Sequence, residues 1–212
     1  MRVCVVVLLT LLLGEVAHAR PDCEGEAREL RAFLTAEARR ADTWNTLWAL
    51  GFGAATAGQI AVVQAETNPF GEFDAAYREQ LIVGSVKASL GLGSKLVFAL
   101  KLDVPAKAAD ACEDVRVLHE AIAHAAQKER KSILLTIIGG TIVNLSGAIW
   151  LWARHDLKTA ATSFATGVPI GPISALTQPR GAMKLYKRKR GEWASRDRVH
   201  WVVGLGWIGG AF

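Results

Sequence analysis

The chain has 212 residues, enough for one domain or a small helical membrane bundle. Hydrophobic residues make up 51 % against 21 % charged, the formal net charge is +5, and the mean hydropathy is +0.22. So much apolar residue beside so much charge excludes an even mixture of the two and demands segregated blocks.

The first block is the start, "MRVCVVVLLTLLLGEVAHARPDC", with one basic residue, an apolar run Val3–Leu13 and "AHA" before Arg20. A short apolar run ending in small-x-small predicts a secretory signal peptide cleaved after Ala19. Cys4 would leave with it, and Cys23 and Cys112 remain as one pair in an exported chain. An oxidising compartment permits a disulfide between them. Cys23 follows "RPD" rather than a small-residue lipobox, so lipidation there is not expected.

Arg20–Asp42 is highly charged, and Leu30, Phe33, Leu34, Ala38, Ala41 and Trp44 recur at helical spacing. Trp44–Gln64 follows without a charge, long enough to span a hydrocarbon core. "ETNPFGEFD" breaks the helix at Pro69 and Gly71. Leu81–Leu100 is a second apolar block, interrupted by Lys87 and Lys95 and closed by Asp103 and Pro105. Ala106–Lys131 is again charged, with Val115, Leu118, Ile122 and Ala125 on one helical face. Ile133–Ala153 is a third, uncharged block, "RHDLK" a turn-like link, and Thr159–Thr177 a fourth block that Pro169 and Pro172 must kink or break. "PRGAMKLYKRKRGEWASRDR" is strongly basic, and "VHWVVGLGWIGGAF" is apolar.

A shift of 89 positions lays Cys23 on Cys112, Glu24 on Glu113, Gly51 on Gly140 and Gly58 on Gly147. Identities are few, but each half runs through cysteine, charged amphipathic helix, polar collar, apolar span, break and second span. This predicts an all-α integral membrane protein with four transmembrane helices, built as two pseudo-repeated hairpins with amphipathic extramembrane extensions. Residues 1–19 form the expected signal peptide. Residues 20–105 form a first repeat, with spans at about 44–64 and 81–100. Residues 106–178 form a second, with spans at about 133–153 and 159–177. Residues 179–212 form a basic linker and an apolar C-terminal segment. In this arrangement a Cys23–Cys112 bond clamps matching ends of the two extensions.

Two signals pull against this reading. With a cleaved signal, most Lys and Arg lie outside the cytoplasm, against the positive-inside bias, since the inner loops hold only Arg78, Arg154 and Lys158. The alternation Lys87, Ser89, Gly91, Gly93, Lys95 and the Trp-rich end at Phe212 suggest, as an alternative, a small outer-membrane β-barrel. The Trp44–Gln64 and Ile133–Ala153 blocks are too long for barrel strands, which favours helices and the inner membrane over the outer.

Charged side chains inside a span are costly and mark candidate function. On a helix Lys87 and Lys95 lie about 80° apart, beside Gly84, Ala88 and Gly91. They could line a pore or anion-binding cavity, or snorkel to opposite headgroup layers. Lys184, Lys187, Arg188, Lys189 and Arg190 form a basic segment suited to a membrane surface with acidic lipid headgroups. Export argues against nucleic acid as a partner. His119, Glu120 and His124 lack the two-His, four-residue spacing of a zinc helix. No catalytic constellation is identifiable, so neither an enzyme nor a cofactor is expected. The expected role is a structural or accessory subunit of a cell-envelope complex, with membrane lipid and unknown envelope proteins as partners. The alternative is a small channel or transporter for an anionic solute, lined by Lys87 and Lys95.

Overall fold

The computed structural model describes residues 22–65 and 74–191, and every regular element among them is helical. The expected signal peptide at 1–19, the proline-containing break at 66–73 and the apolar C-terminal segment lie outside the described residues. In chain order the helices are α1 (Cys23–Gln64), α2 (Ala75–Val97), α3 (Ala111–Arg154), α4 (Leu157–Gly167) and α5 (Ile170–Thr177). A sixth, α6, covers 181–191. The β-barrel alternative is overturned, because no strand occurs among the described residues. The alternation that suggested it lies within α2. There Lys87, Gly91 and Lys95 form an i, i+4, i+8 stripe, which also satisfies a period of two.

Aspartate starts the first four helices. Asp22, Asp74, Asp110 and Asp156 each accept a hydrogen bond from a backbone N–H three residues on, at 2.9, 2.7, 2.9 and 2.7 Å. Each such cap contributes about 1 kcal/mol. α5 has no side-chain cap, since Val168 and Pro169 keep helical angles and pass the chain almost straight on from α4. The break expected from the prolines thus falls at 168–169, where Pro169 has no N–H to give.

α1 and α3, at 42 and 44 residues, run about 63 and 66 Å. Their N-terminal halves form a shaft whose core contains Leu30, Leu34, Leu118, Ile122, Ala125 and Trp44. The Cys23–Cys112 disulfide closes its far end, with Cα atoms 4.9 Å apart. Residues 98–110 strap back along the shaft. Leu100 and Leu102 enter its core, and Asn45 clasps the Leu100 backbone with both ends of its amide, at 3.0 and 3.1 Å. Arg31 donates to the Pro105 carbonyl at 2.6 Å and to buried Asp114 at 2.7 Å, tying α1, strap and α3 together. The Ala108 N–H and the Arg31 guanidinium hold the Asp114 carboxyl below its usual range.

α6 returns down the shaft through Ala182, Met183, Leu185 and Tyr186. Two buried carboxylates receive its first turn. Glu129 accepts from the Ala182 and Met183 N–H groups at 3.1 and 2.8 Å, and Glu37 from Gly181 at 3.2 Å. Acids at a helix N-terminus satisfy orphan N–H groups and oppose the dipole's positive end. Any Cβ at Gly181 would strike the Glu37 carboxylate, so glycine is needed there. Burial pushes the Glu129 carboxyl above its usual range, with the two N–H groups acting in the other direction.

Beyond the shaft the surface inverts. Leu47, Leu50, Val86, Leu90, Leu134, Ile142, Ile149 and Leu176 are all exposed. The apolar stretch of α1 has none of its residues buried, and that of α3 has almost none. Each of these two helices is long and apolar enough to cross a membrane.

Candidate binding cavity

α2 packs on α1 and meets α3, α4 and α5 across a cavity of about 470 Å³ at the level of the apolar belt. Lys87 and Lys95 both line it. Lys87 Nζ donates to Ser163 Oγ on α4 at 2.8 Å. Its stem crosses α3 at Gly147, where any Cβ would collide with the lysine chain and with Val83. Lys95 is 8 % exposed, with Nζ 3.8 Å from the centroid of the Trp44 ring. A cation over an indole face is attracted by the ring quadrupole.

The rest of the lining is small or neutral-polar. Gly140 and Gly171 bring α3 and α5 backbones close together. Asn144 donates to the Gly140 and Gly167 carbonyls at 2.9 and 3.2 Å, tying α3 to α4. Ser174 on α5 is 1 % exposed, and its hydroxyl has no hydrogen-bond partner among the described residues. The Gln59 side-chain oxygen is likewise buried and unpartnered. Among the described residues no carboxylate lines the cavity and none pairs with either lysine.

A larger groove of about 1150 Å³ lies between α1 and α6 on the shaft. Its rim carries both signs, with Glu26, Glu29 and Glu37 among Arg39, Arg40, Lys184 and Arg188. Its cations lie among carboxylates, with Arg40 paired to Glu37 and Lys189 to Glu26, whereas the α2–α5 cavity brings two lysines together with no carboxylate among its described lining residues.

The remaining candidate residues fall elsewhere. Lys184, Lys187, Arg188, Lys189 and Arg190 lie on α6, which runs along the shaft away from the Trp44 level. Lys189 Nζ comes 3.7 Å from Glu26 in the first turn of α1. Cys23 and Cys112 are consumed in the disulfide. His119 Nε2 lies 3.2 Å from Glu26, so this histidine belongs to the shaft. At the opposite end of the molecule Glu79 gathers His155, Trp150 and Arg154 at 2.8, 2.9 and 2.8 Å. These partners, His155 foremost, lower the Glu79 carboxyl below its usual range.

Sequence reasoning found the two lysines through their cost in an apolar block. It missed Ser174, Glu37 and Glu129, whose roles depend on helices more than forty residues away in sequence. Comparisons with protein-family models, with characterised proteins and with solved structures return no match.

Proposed function

We propose that the chain is an exported integral membrane protein of the cell envelope, acting without catalysis as a structural or accessory subunit. Its four spans form two hairpins: the C-terminal half of α1 with α2, and that of α3 with α4–α5. The observation that carries this reading is the unburied apolar belt. The core helix of a soluble protein hides its apolar stretch, whereas α1 buries none of its own. A contiguous exposed apolar surface of this extent needs lipid or a partner to cover it. The belt's height supports lipid. From Ile133 to Trp150 α3 rises about 26 Å, close to a hydrocarbon core. Trp48 stands near one edge and Trp150 and Trp152 near the other, where aromatic belts lie. The disulfide-closed shaft then projects from one face and offers an extramembrane surface to an envelope protein.

A second reading, a small channel or transporter for an anionic solute, is supported by one observation: Lys87 and Lys95 share a cavity that holds no carboxylate. Alkaline carbonate extraction of membranes tests the first reading. The protein should remain wholly in the pellet, and release into the supernatant would remove the spans and both roles.

A further inference from the structure

We propose that the cavity between α2 and α3–α5 binds a small inorganic anion at two stations, one at Lys95 and Ser174 and one at Lys87 and Ser163. Charge is the first pointer. On the shaft the buried carboxylates are held by donors: Asp114 pairs with Arg31 and Glu37 with Arg40, and Glu129 accepts two backbone N–H groups of α6. Inside the cavity the two lysines have only neutral residues beside them among the described lining. An uncompensated charge away from water is costly, and the Trp44 ring offsets only part of that cost for Lys95. A mobile anion from solution supplies the missing charge.

The hydroxyl on the far wall gives a second, independent pointer. Ser174 is buried, lines the cavity and leaves its O–H unspent. Buried polar groups are rarely left without a partner, and a hydroxyl and an ammonium lining one cavity are donors of the kind an anion accepts from. The Lys87 station repeats this pairing with Ser163, whose Oγ already accepts from Lys87 and whose own proton remains to be given.

Shape selects the ion's size. The lining runs along α2 from Tyr77 to Lys95, about 27 Å. A volume of about 470 Å³ spread over that length is a narrow crevice. A small inorganic ion fits within it. Lys87 and Lys95 are separated by about 12 Å of rise, too far for one such ion to bridge, so the stations are distinct. The inference rests on the anionic-solute reading for the ion's class but requires binding alone, not passage.

The test is thermal unfolding of the full chain in uncharged detergent, in sodium chloride or sodium nitrate against sodium gluconate at equal ionic strength. Ligand binding to the folded state raises the midpoint with concentration, and gluconate, a bulky and weakly coordinating anion, serves as the reference. Chloride or nitrate should raise the midpoint in the unmodified protein. Lys95→Met should lose most of that shift, Ser174→Ala should weaken the apparent affinity several-fold, and Lys184→Met on the shaft groove should retain it. Equal midpoints in chloride, nitrate and gluconate would overturn the proposal. So would an undiminished shift in Ser174→Ala, which remains informative if Lys95→Met fails to fold. Stabilisation by phosphatidylglycerol micelles that requires Lys95 while free anions do nothing would also overturn it. Chloride flux into phosphatidylcholine vesicles tests the channel reading separately, and anion-dependent midpoints without flux would sink that reading while supporting this one.

Discussion

Arg31 and Asp114, 83 positions apart in sequence, meet at 2.7 Å on the inner face of the shaft, and the same guanidinium holds the Pro105 carbonyl of the strap. One arginine thus couples both long helices to the segment that follows α2. Asp114 is the more deeply placed partner, at 1 % exposure, and it also receives the Ala108 N–H at 3.0 Å.

Asp114→Asn should therefore lower the thermal midpoint and change the acid limb of stability. The folded carboxyl lies below its ordinary value of 3.8. A depressed carboxyl contributes stability above that value and loses it as pH falls through the folded-state pKa. The unmodified protein should lose stability more steeply than Asp114→Asn below about pH 3.8. Circular dichroism melts across that range check the difference.

The Cys23–Cys112 bond closes a sequence separation of 89, for which loop-closure entropy gives about 4.6 kcal/mol. Cys112→Ser should lower the denaturation free energy by roughly that amount, up to 5 kcal/mol. Chemical unfolding with and without reductant should show the same loss in the unmodified protein and none in the variant.

Leu34 and Leu90 are both leucines on long helices, but Leu34 is fully buried in the shaft and Leu90 is 55 % exposed on the apolar belt. Leu34→Ala should cost about 2–5 kcal/mol by cavity formation. Leu90→Ala should stay within roughly 0.5 kcal/mol, as surface substitutions do. Parallel melts in detergent distinguish the two.

Gly147→Ala forces the Lys87 stem aside, because the added Cβ overlaps it and presses on Val83. Overpacking of this kind costs about 1–3 kcal/mol. The variant should fold, retain the anion response at Lys95, and weaken the response at Lys87 in the chloride titration.

Much of the helical layout was legible from charge and hydropathy. The uncharged runs marked the upper halves of α1 and α3, Gly/Pro breaks marked ends, and Pro169 marked the interruption before α5, whereas the capping aspartates went unread. The disulfide was legible from the expected export and from the two cysteines that remain beyond the expected signal peptide. The strap and α6 were not legible. Asn45 reads as one polar residue in a span until Leu100 returns to it. The basic run 184–190 read as a surface segment, because its apolar partners Ala182, Met183, Leu185 and Tyr186 make a short stripe that charge obscures. Glu37 and Glu129 read as ordinary charges of an amphipathic helix, since the N–H groups they receive belong to α6. Lys87 and Lys95 were conspicuous, but their sharing one cavity depends on the packing of α4 and α5 against α2.

Sidedness tests the two-hairpin membrane account most directly. Lys107→Cys on the strap and Lys158→Cys at the start of α4 are both exposed and lie at opposite ends of the apolar belt. Sealed membrane vesicles of uniform orientation would be treated with an impermeant maleimide before and after permeabilisation. The account predicts that one site labels in sealed vesicles and the other only after permeabilisation. Equal labelling of both sites in sealed vesicles would contradict it.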